Sequence, residues 1–254
     1  MNAIQKYNYS VLLPYYKKRM SLLAALKSVL EQTILPLEII LIEDSYEKIF
    51  DKEYFLKNLD FKNVNLKFFK NNKNIGLAKS LNFGLKKTKT NLIFRIDDDD
   101  LYLKNHAETY LKEFYKNNDC LIYSQEIKKK FNYLDFVKDD FLIFDNLSIH
   151  SSWMINLNIN KRFRYIDLNP EDYASLSFYM RRNFKLNIIK ANTVVYNDNP
   201  EGMSKKTNAN KHIDQIRKAN FLYFKKKYIK KGLIYFIYKM FTKINLITFL
   251  KIKI

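Results

Sequence analysis

The feature that most constrains this chain is a pair of short apolar runs that each stop abruptly at acidic residues. Leu37–Ile42 ends in Glu43-Asp44-Ser45, and Asn91–Ile96 ends in four consecutive carboxylates, Asp97-Asp98-Asp99-Asp100. Short continuous apolar runs of this kind are strands buried on both faces, the environment of a mostly parallel sheet. Ser10–Pro14 and Leu66–Phe69 have the same character, the first closed by its proline. Helical patterns lie between them: Leu22, Leu23, Leu26, Val29 and Leu30 recur at three- and four-residue spacing up to Gln32, with Pro36 beyond, and Leu77–Leu85 is a second such segment. The alternation predicts an α/β fold, a mostly parallel central sheet flanked by helices. In such a fold the C-terminal strand ends share one edge, and ligands bind there.

Beyond residue 110 the alternation loosens. Leu121–Gln125, Ser151–Ile155 and Leu186–Tyr196 have the composition of strands, and Asp172–Arg182 that of a helix headed by Asn169-Pro170-Glu171. Soft boundaries divide the chain into residues 1–110, 111–210 and 211–254. With 254 residues, 47% of them hydrophobic, there is ample material for a core, and a disordered chain is excluded. The lone Cys120 excludes a disulfide framework, fits a reducing compartment and reads as a small buried hydrophobe. Met1–Ser10 lacks the basic start and apolar stretch of a secretory signal. No apolar run approaches the roughly 18 to 20 residues that cross a bilayer, the best candidate being Gly232–Tyr238. A cytoplasmic location is expected.

The net charge of +19 calls for an anionic partner: nucleic acid, an anionic membrane or a phosphorylated substrate. That charge is concentrated. Residues 211–254 hold twelve Lys or Arg against one acid, Asp214, and so carry +11 of the total, with nine aromatics interleaved. Phe221, Phe224 and Tyr228, then Ile234, Tyr235, Tyr238 and Phe241, recur at helical spacing. The pattern predicts a basic, aromatic, helical C-terminal extension of the kind that lies on anionic membrane surfaces; a helix packed on the body with a solvated basic face is the other reading. No nucleic-acid-binding motif accompanies the charge, and no nucleic-acid partner is expected.

Four carboxylates in a row repel one another unless a positive charge sits among them. A divalent cation, Mg²⁺ or Mn²⁺, is the economical answer, because it takes one or two carboxylates and completes its shell with water and substrate phosphate oxygens. A solvated acidic turn or helix cap is the bland alternative. Asp44 belongs to the same sheet edge. Arg95, two residues before Asp97, either faces a diphosphate or pairs with the acids. Lacking its neighbours, Asp172 would read as a helix-start acid interacting with the macrodipole.

Ser10-Val-Leu-Leu-Pro-Tyr-Tyr16, Leu26-Lys-Ser-Val-Leu-Glu-Gln-Thr33, Leu41-Ile-Glu-Asp-Ser45, Asn74-Ile-Gly-Leu-Ala-Lys-Ser-Leu-Asn82 and Arg95-Ile-Asp-Asp-Asp-Asp-Leu101 occur in the order and spacing of family 2 glycosyltransferases. The chain resembles these enzymes densely over about residues 9 to 110. Ile149-His-Ser-Ser-Trp-Met154 and Asn169-Pro-Glu-Asp-Tyr173 resemble, more distantly, the acceptor-side segments of the subgroup that builds bacterial surface polysaccharides and lipooligosaccharides. The resemblance implies a Rossmann-like GT-A fold, with residues 1–110 binding a nucleotide-sugar, usually a UDP-sugar, and residues 111–210 binding the acceptor. It implies transfer with inversion to a glycan or lipid-linked glycan, at the inner face of a bacterial plasma membrane. On the donor side it implicates Pro14, Tyr15, Asp44, Lys79, Asn82, Arg95 and Asp98. Asp97 and Asp99 match the metal-binding DXD motif, with Asp99 the more direct ligand, and Asp172 matches the catalytic base. His150, Trp153 and Glu171 are weaker acceptor-side candidates.

Many family members carry Arg where this chain has Leu81, so a diphosphate contact from that position is lost, and Arg95 or Lys79 is its expected substitute. Lys205 and Lys206 occupy a loop that often closes over the donor. The alternative expectation is a basic nucleic-acid- or membrane-binding protein without transfer activity.

Overall fold

The computed structural model describes residues 7–16, 19–45, 51–125, 146, 148–197 and 212–224. In chain order the elements are β1 (Ser10–Tyr15), α1 (Arg19–Leu30), β2 (Glu38–Glu43), α2 (Lys52–Asn58), β3 (Asn65–Lys70), α3 (Leu77–Leu85), β4 (Leu92–Arg95), β5 (Leu101–Tyr102), α4 (His106–Lys116), β6 (Ile122–Gln125), β7 (Met154–Asn156), α5 (Glu171–Met180), β8 (Leu186–Ile189), β9 (Val194–Val195) and α6 (Ile213–Phe224). A 3₁₀ turn, His150–Ser152, precedes β7.

Seven strands form one sheet in the order β3-β2-β1-β4-β7-β6-β8, and β5 pairs with β9 in a separate ribbon. β1, β2, β3 and β4 are parallel, β7 is antiparallel to both β4 and β6, and β8 is parallel to β6. Every strand of the main sheet but β7 therefore points the same way, as the alternating pattern predicts.

β1 and β2 are buried along their whole length, which is why they read as unbroken apolar runs. Alternate residues serve opposite layers. Val11, Leu13, Ile39 and Leu41 pack with Leu22, Leu26 and Val29 of α1, Phe55 of α2 and Tyr110 and Leu111 of α4. Leu12, Ile40, Ile42 and Ile93 pack with Ala78, Leu81 and Leu85 of α3 and Leu176 of α5 on the other side.

Pro14 does not end its strand, as the sequence predicts, but sits inside it opposite Ile42. Leu12 turns its carbonyl toward the β4 side, accepting from Ile96, whereas Tyr15 turns its carbonyl toward Asp44 at the end of β2. Backbone groups alternate along a strand, so the N–H that Pro14 lacks would face the β4 side, beyond the last paired residue, Leu12. The expected strand over Leu186–Tyr196 divides into β8 and β9, which belong to different sheets. The helix expected to run to Arg182 ends at Met180, and Asn183 beyond it has φ 62°.

Candidate functional site

The strand-end acids sit where the topology predicts. β1, β2 and β4 are adjacent and parallel, so their C-terminal ends bring Tyr15, Glu43 and Arg95 to one edge, with Asp44 and the Asp97–Asp100 cluster just beyond. The four carboxylates are held differently. Arg95 is fully buried and grips Asp97 with both terminal nitrogens, Nη1 at 2.6 Å from Oδ2 and Nη2 on Oδ1. Pairing with the acids is one of the two roles the sequence leaves open for Arg95, whose side chain is 0% exposed. Burial alone would push the Asp97 carboxyl up; the guanidinium, with the Ser151 hydroxyl, outweighs it and holds it below the ordinary value.

Ser151 ties the cluster together. Its Oγ lies 3.0 Å from Asp97 Oδ2, contacts Asp100 Oδ2, and accepts from the Asp97 N–H and Arg95 Nη1, both at 3.2 Å. Its single proton serves one carboxylate at a time. Asp100 is buried and also accepts from Asn197 N–H at 2.9 Å. Burial first, and then the negative charge of Asp97, push its carboxyl up to about 6. Asp98 accepts from the Tyr16 N–H at 3.0 Å, and Asp99 is partly exposed.

Pro14 and Tyr15 lie at the sheet edge but are buried; the exposed ring there is Tyr16, 46% exposed. Asp44 uses its carboxylate on the loop between β3 and α3. It accepts from Asn71 Nδ2, Ile75 N–H and Gly76 N–H, each at 2.9 Å. Gly76 has φ +90°, a conformation that favours glycine, and so enters α3 without strain. Asn82 on α3 makes a two-way bond with the backbone of Tyr165, Nδ2 to the carbonyl at 2.9 Å and Oδ1 from the N–H at 2.7 Å. Lys79 pairs with Asp167 at 3.2 Å. Both residues thus clamp the segment leading to α5.

Asp172 lies in the first turn of α5, beside Glu171. Its Oδ1 accepts from the Tyr173 N–H at 2.7 Å and its Oδ2 from Asn146 Nδ2 at 2.5 Å. Burial pushes the Asp172 carboxyl up; His150 opposes the shift and the charge of Glu171 adds to it. Glu171 moves the other way: His150 Nδ1, 3.4 Å from Oε1, outweighs burial and lowers it. Trp153, a candidate platform for sugar stacking, is instead fully buried, with Nε1 donating to Ser148 Oγ at 3.1 Å and its ring stacked on Tyr165. Its indole belongs to the core, against the rings of His150 and Tyr165. The His150–Ser152 turn joins the acidic cluster to the head of α5: Ser151 Oγ bonds Asp97 and Asp100, His150 Nδ1 faces Glu171, and the His150 ring packs on Tyr165.

Ser151, Asn146 and Tyr165 were not legible as site residues in the sequence. The pairing of Arg95 with Asp97 was one of two readings that the sequence left open. Lys205, Lys206 and residues 225–254 lie outside the described residues, as does Lys211. Among the described residues no three acids or imidazoles converge as a ready-made metal cage, and no helix is long and apolar enough to cross a membrane.

A mostly parallel sheet with acids at its C-terminal edge, beside a helix that starts with two further acids, is the setting in which α/β proteins bind their ligands. The sequence model of glycosyl transferase family 2 matches residues 10–186, and the chain belongs to that family. It is 24% identical over 204 residues to an uncharacterized glycosyltransferase, YwdF, of Bacillus subtilis, covering 74% of this chain and 73% of that one. It is 34% identical over 123 residues to the UDP-Gal:alpha-D-GlcNAc-diphosphoundecaprenol beta-1,3-galactosyltransferase of Escherichia coli, covering 48% of this chain and 44% of that one. A mannosyltransferase from Pyrobaculum calidifontis in complex with GDP-Man and Mn²⁺ has the same fold, with TM-score 0.66 at 13% identity over 84% of this chain and 64% of that one. TarS of S. aureus in complex with UDP-GlcNAc gives 0.59 at 15% identity, covering 86% of this chain and 72% of that one. The fold is GT-A, and the protein is a glycosyltransferase enzyme.

Proposed function

We propose that the enzyme moves a sugar from a nucleotide-sugar, a UDP-sugar in the first instance, to a hydroxyl of a lipid-linked, growing cell-surface glycan, with inversion at the anomeric carbon. The observation that carries this reading is the His150–Ser152 turn, which joins the carboxylate cluster at the sheet edge, through Ser151 Oγ on Asp97 and Asp100, to the acids at the start of α5, through His150 Nδ1 at 3.4 Å from Glu171 Oε1. Asp172 is the general base. Its raised affinity for protons suits it to accept the acceptor hydroxyl's proton while the hydroxyl oxygen attacks the anomeric carbon and the bond to the diphosphate breaks. Asn146 and the Tyr173 N–H fix both oxygens of that carboxylate and so orient it.

The cluster fits a divalent cation, Mn²⁺ or Mg²⁺, that takes few protein ligands and completes its shell with phosphate oxygens. Asp99, with Asp97 beside it, would hold the ion. Bound there, it would neutralise charge developing on the nucleoside diphosphate. Asp97 is already neutralised by Arg95, which leaves Asp99 the principal ligand. The donor and acceptor named for the E. coli relative support a UDP-sugar and an undecaprenyl-diphosphate-linked acceptor. The GDP-Man complex keeps GDP-sugars in the test. Residues 211–254 supply the membrane-surface attachment that a lipid-linked acceptor requires.

Thermal-shift titration with Mn²⁺ against UDP-glucose, UDP-galactose, UDP-N-acetylglucosamine and GDP-mannose tests the donor side. At least one is expected to stabilise the protein only when Mn²⁺ is present; no response to any of the four overturns the assignment. Asp99→Ala is expected to abolish that stabilisation. Asp172→Ala is expected to keep it while losing at least about a hundredfold in transfer rate.

A further inference from the structure

Glu171 and Asp172 are adjacent acids on the first turn of one helix, screened from solvent, and only one of them is needed as a base. Two negative charges so placed raise each other's affinity for protons until neither serves well near neutral pH. The 3₁₀ turn His150–Ser152 resolves the conflict. It brings His150 Nδ1 to 3.4 Å from Glu171 Oε1, with both side chains about nine-tenths buried. A carboxylate only accepts, so the imidazole proton on this contact resides on Nδ1. His150 itself is fixed edge-on against Trp153 and tilted on Tyr165, ring centroids 4.8 and 5.4 Å away. This explains why a tryptophan and a tyrosine are buried here: they form the rigid seat of the imidazole. Arg95 also lowers Glu171 through its charge, but less than His150 does, and its terminal nitrogens bond Asp97 and Ser151.

We propose that His150 is a positioning residue for the general base, holding Glu171 on its Nδ1–H so that the charge of Glu171 is kept off Asp172. The role rests on the assignment of Asp172 as base, but its core is an electrostatic coupling that exists whether or not transfer is observed. The charged and titratable groups that reach this site are Glu171 and Asp172 on α5, His150 on the 3₁₀ turn, Arg95 on β4, Asp97 after it, and Tyr165. Asn146, the remaining partner of Asp172, is neutral.

The test is a double-mutant cycle read on the carboxyl group itself. The full chain, labelled with carboxyl-¹³C aspartate and assigned through Asp172→Asn, is titrated by NMR as wild type, His150→Gln, Glu171→Gln and the double variant. His150→Gln is expected to raise the Asp172 midpoint by about one pH unit, because Glu171 then acts on it unopposed. Glu171→Gln is expected to lower the midpoint by a similar amount. In the Glu171→Gln background His150→Gln is expected to shift it less, because only the direct effect of the imidazole on Asp172 remains. An unchanged midpoint in His150→Gln, or an equal shift with and without Glu171, overturns the proposal. Should His150→Gln fail to fold, Glu171→Gln alone decides, since a midpoint that does not fall refutes the coupling. The acid limb of the transfer rate should follow the same shifts. Coupled midpoints without transfer at any pH would keep the coupling and reject Asp172 as base.

Discussion

At the scale of single residues, four consecutive aspartates divide into separate tasks according to what each touches. Asp97 neutralises a fully buried guanidinium, Asp98 takes the Tyr16 N–H, Asp100 holds Asn197, and Asp99 stays partly exposed. Removing one partner of a buried ion pair leaves the other charge uncompensated, a loss of about 3 kcal/mol or more. Asp97→Asn is therefore expected to lower the urea midpoint more than Asp99→Asn does, whereas Asp99→Asn is expected to remove the Mn²⁺ response. If the two variants were equally stable, Arg95 would not depend on Asp97. The sequence marks the cluster as chemical but cannot divide it, because identical side chains are told apart only by partners drawn from elsewhere in the chain. Ser151 lies 54 positions from Asp97. Asp44 shows the same limit: its place at a strand end was legible, whereas its three bonds to the loop before α3 depend on how that loop folds back.

At the scale of elements, α3 lies so close to the sheet that Gly84 has no room for a side chain; a Cβ there would meet Leu12 Cδ1 and Ile42 Cδ1 at 2.3 Å. Both neighbours are completely buried and cannot move aside cheaply. Gly84→Val is expected to destabilise by about 2 kcal/mol or more and to weaken the Asn82 clamp on Tyr165. At the opposite end of β2, Glu38 is buried. Desolvation would raise its carboxyl, but Lys67 at 2.5 Å, the Lys89 N–H and the Ser10 hydroxyl overcome it and hold the group below 4.5. A carboxyl lowered by folding contributes stability above its unfolded value and loses it as pH falls through the folded one. Stability should accordingly drop below about pH 4.5, and Glu38→Gln should flatten that drop while costing about 2 kcal/mol at pH 7. Thermal unfolding from pH 3 to 7 checks both. The parallel strands were legible because burial on both faces leaves an unmistakable apolar run. β7 was legible as a strand but not in its direction, and α4, whose five buried residues alternate with charged ones, was missed beside the stronger strand signals. β5, two residues long, carries too little pattern to be read, and β9 was read only as the continuation of β8.

At the scale of the whole molecule, the helix that carries Asp172 is also the seat of the helix that leads into the basic extension. Ile216 of α6 packs on Tyr173 and Ala174 of α5, buried Asn220 donates to Ser177 Oγ at 3.0 Å, and Arg181 donates to Asn220 Oδ1. His212 accepts from the Asn169 N–H at 3.2 Å, just before α5 begins. α6 therefore belongs to the catalytic body, although its charge places it with the extension in the sequence, and the working boundary falls after α6. Leu222 and Tyr223, near the end of α6, are 59% and 46% exposed and continue into the interleaved Lys and aromatic residues. Deleting residues 225–254 should leave the melting temperature and the Mn²⁺-dependent donor response unchanged while abolishing sedimentation with phosphatidylglycerol vesicles. Binding of the intact chain should weaken as salt is raised, because the attraction is between exposed charges. Ile216→Ala should do the reverse, keeping vesicle binding but costing about 2 to 3 kcal/mol of stability, with reduced transfer, because it loosens the seat of α5. If the truncated chain bound vesicles as well as the intact one, the membrane contact would lie on the body and the +9 of residues 225–254 would need another anionic partner.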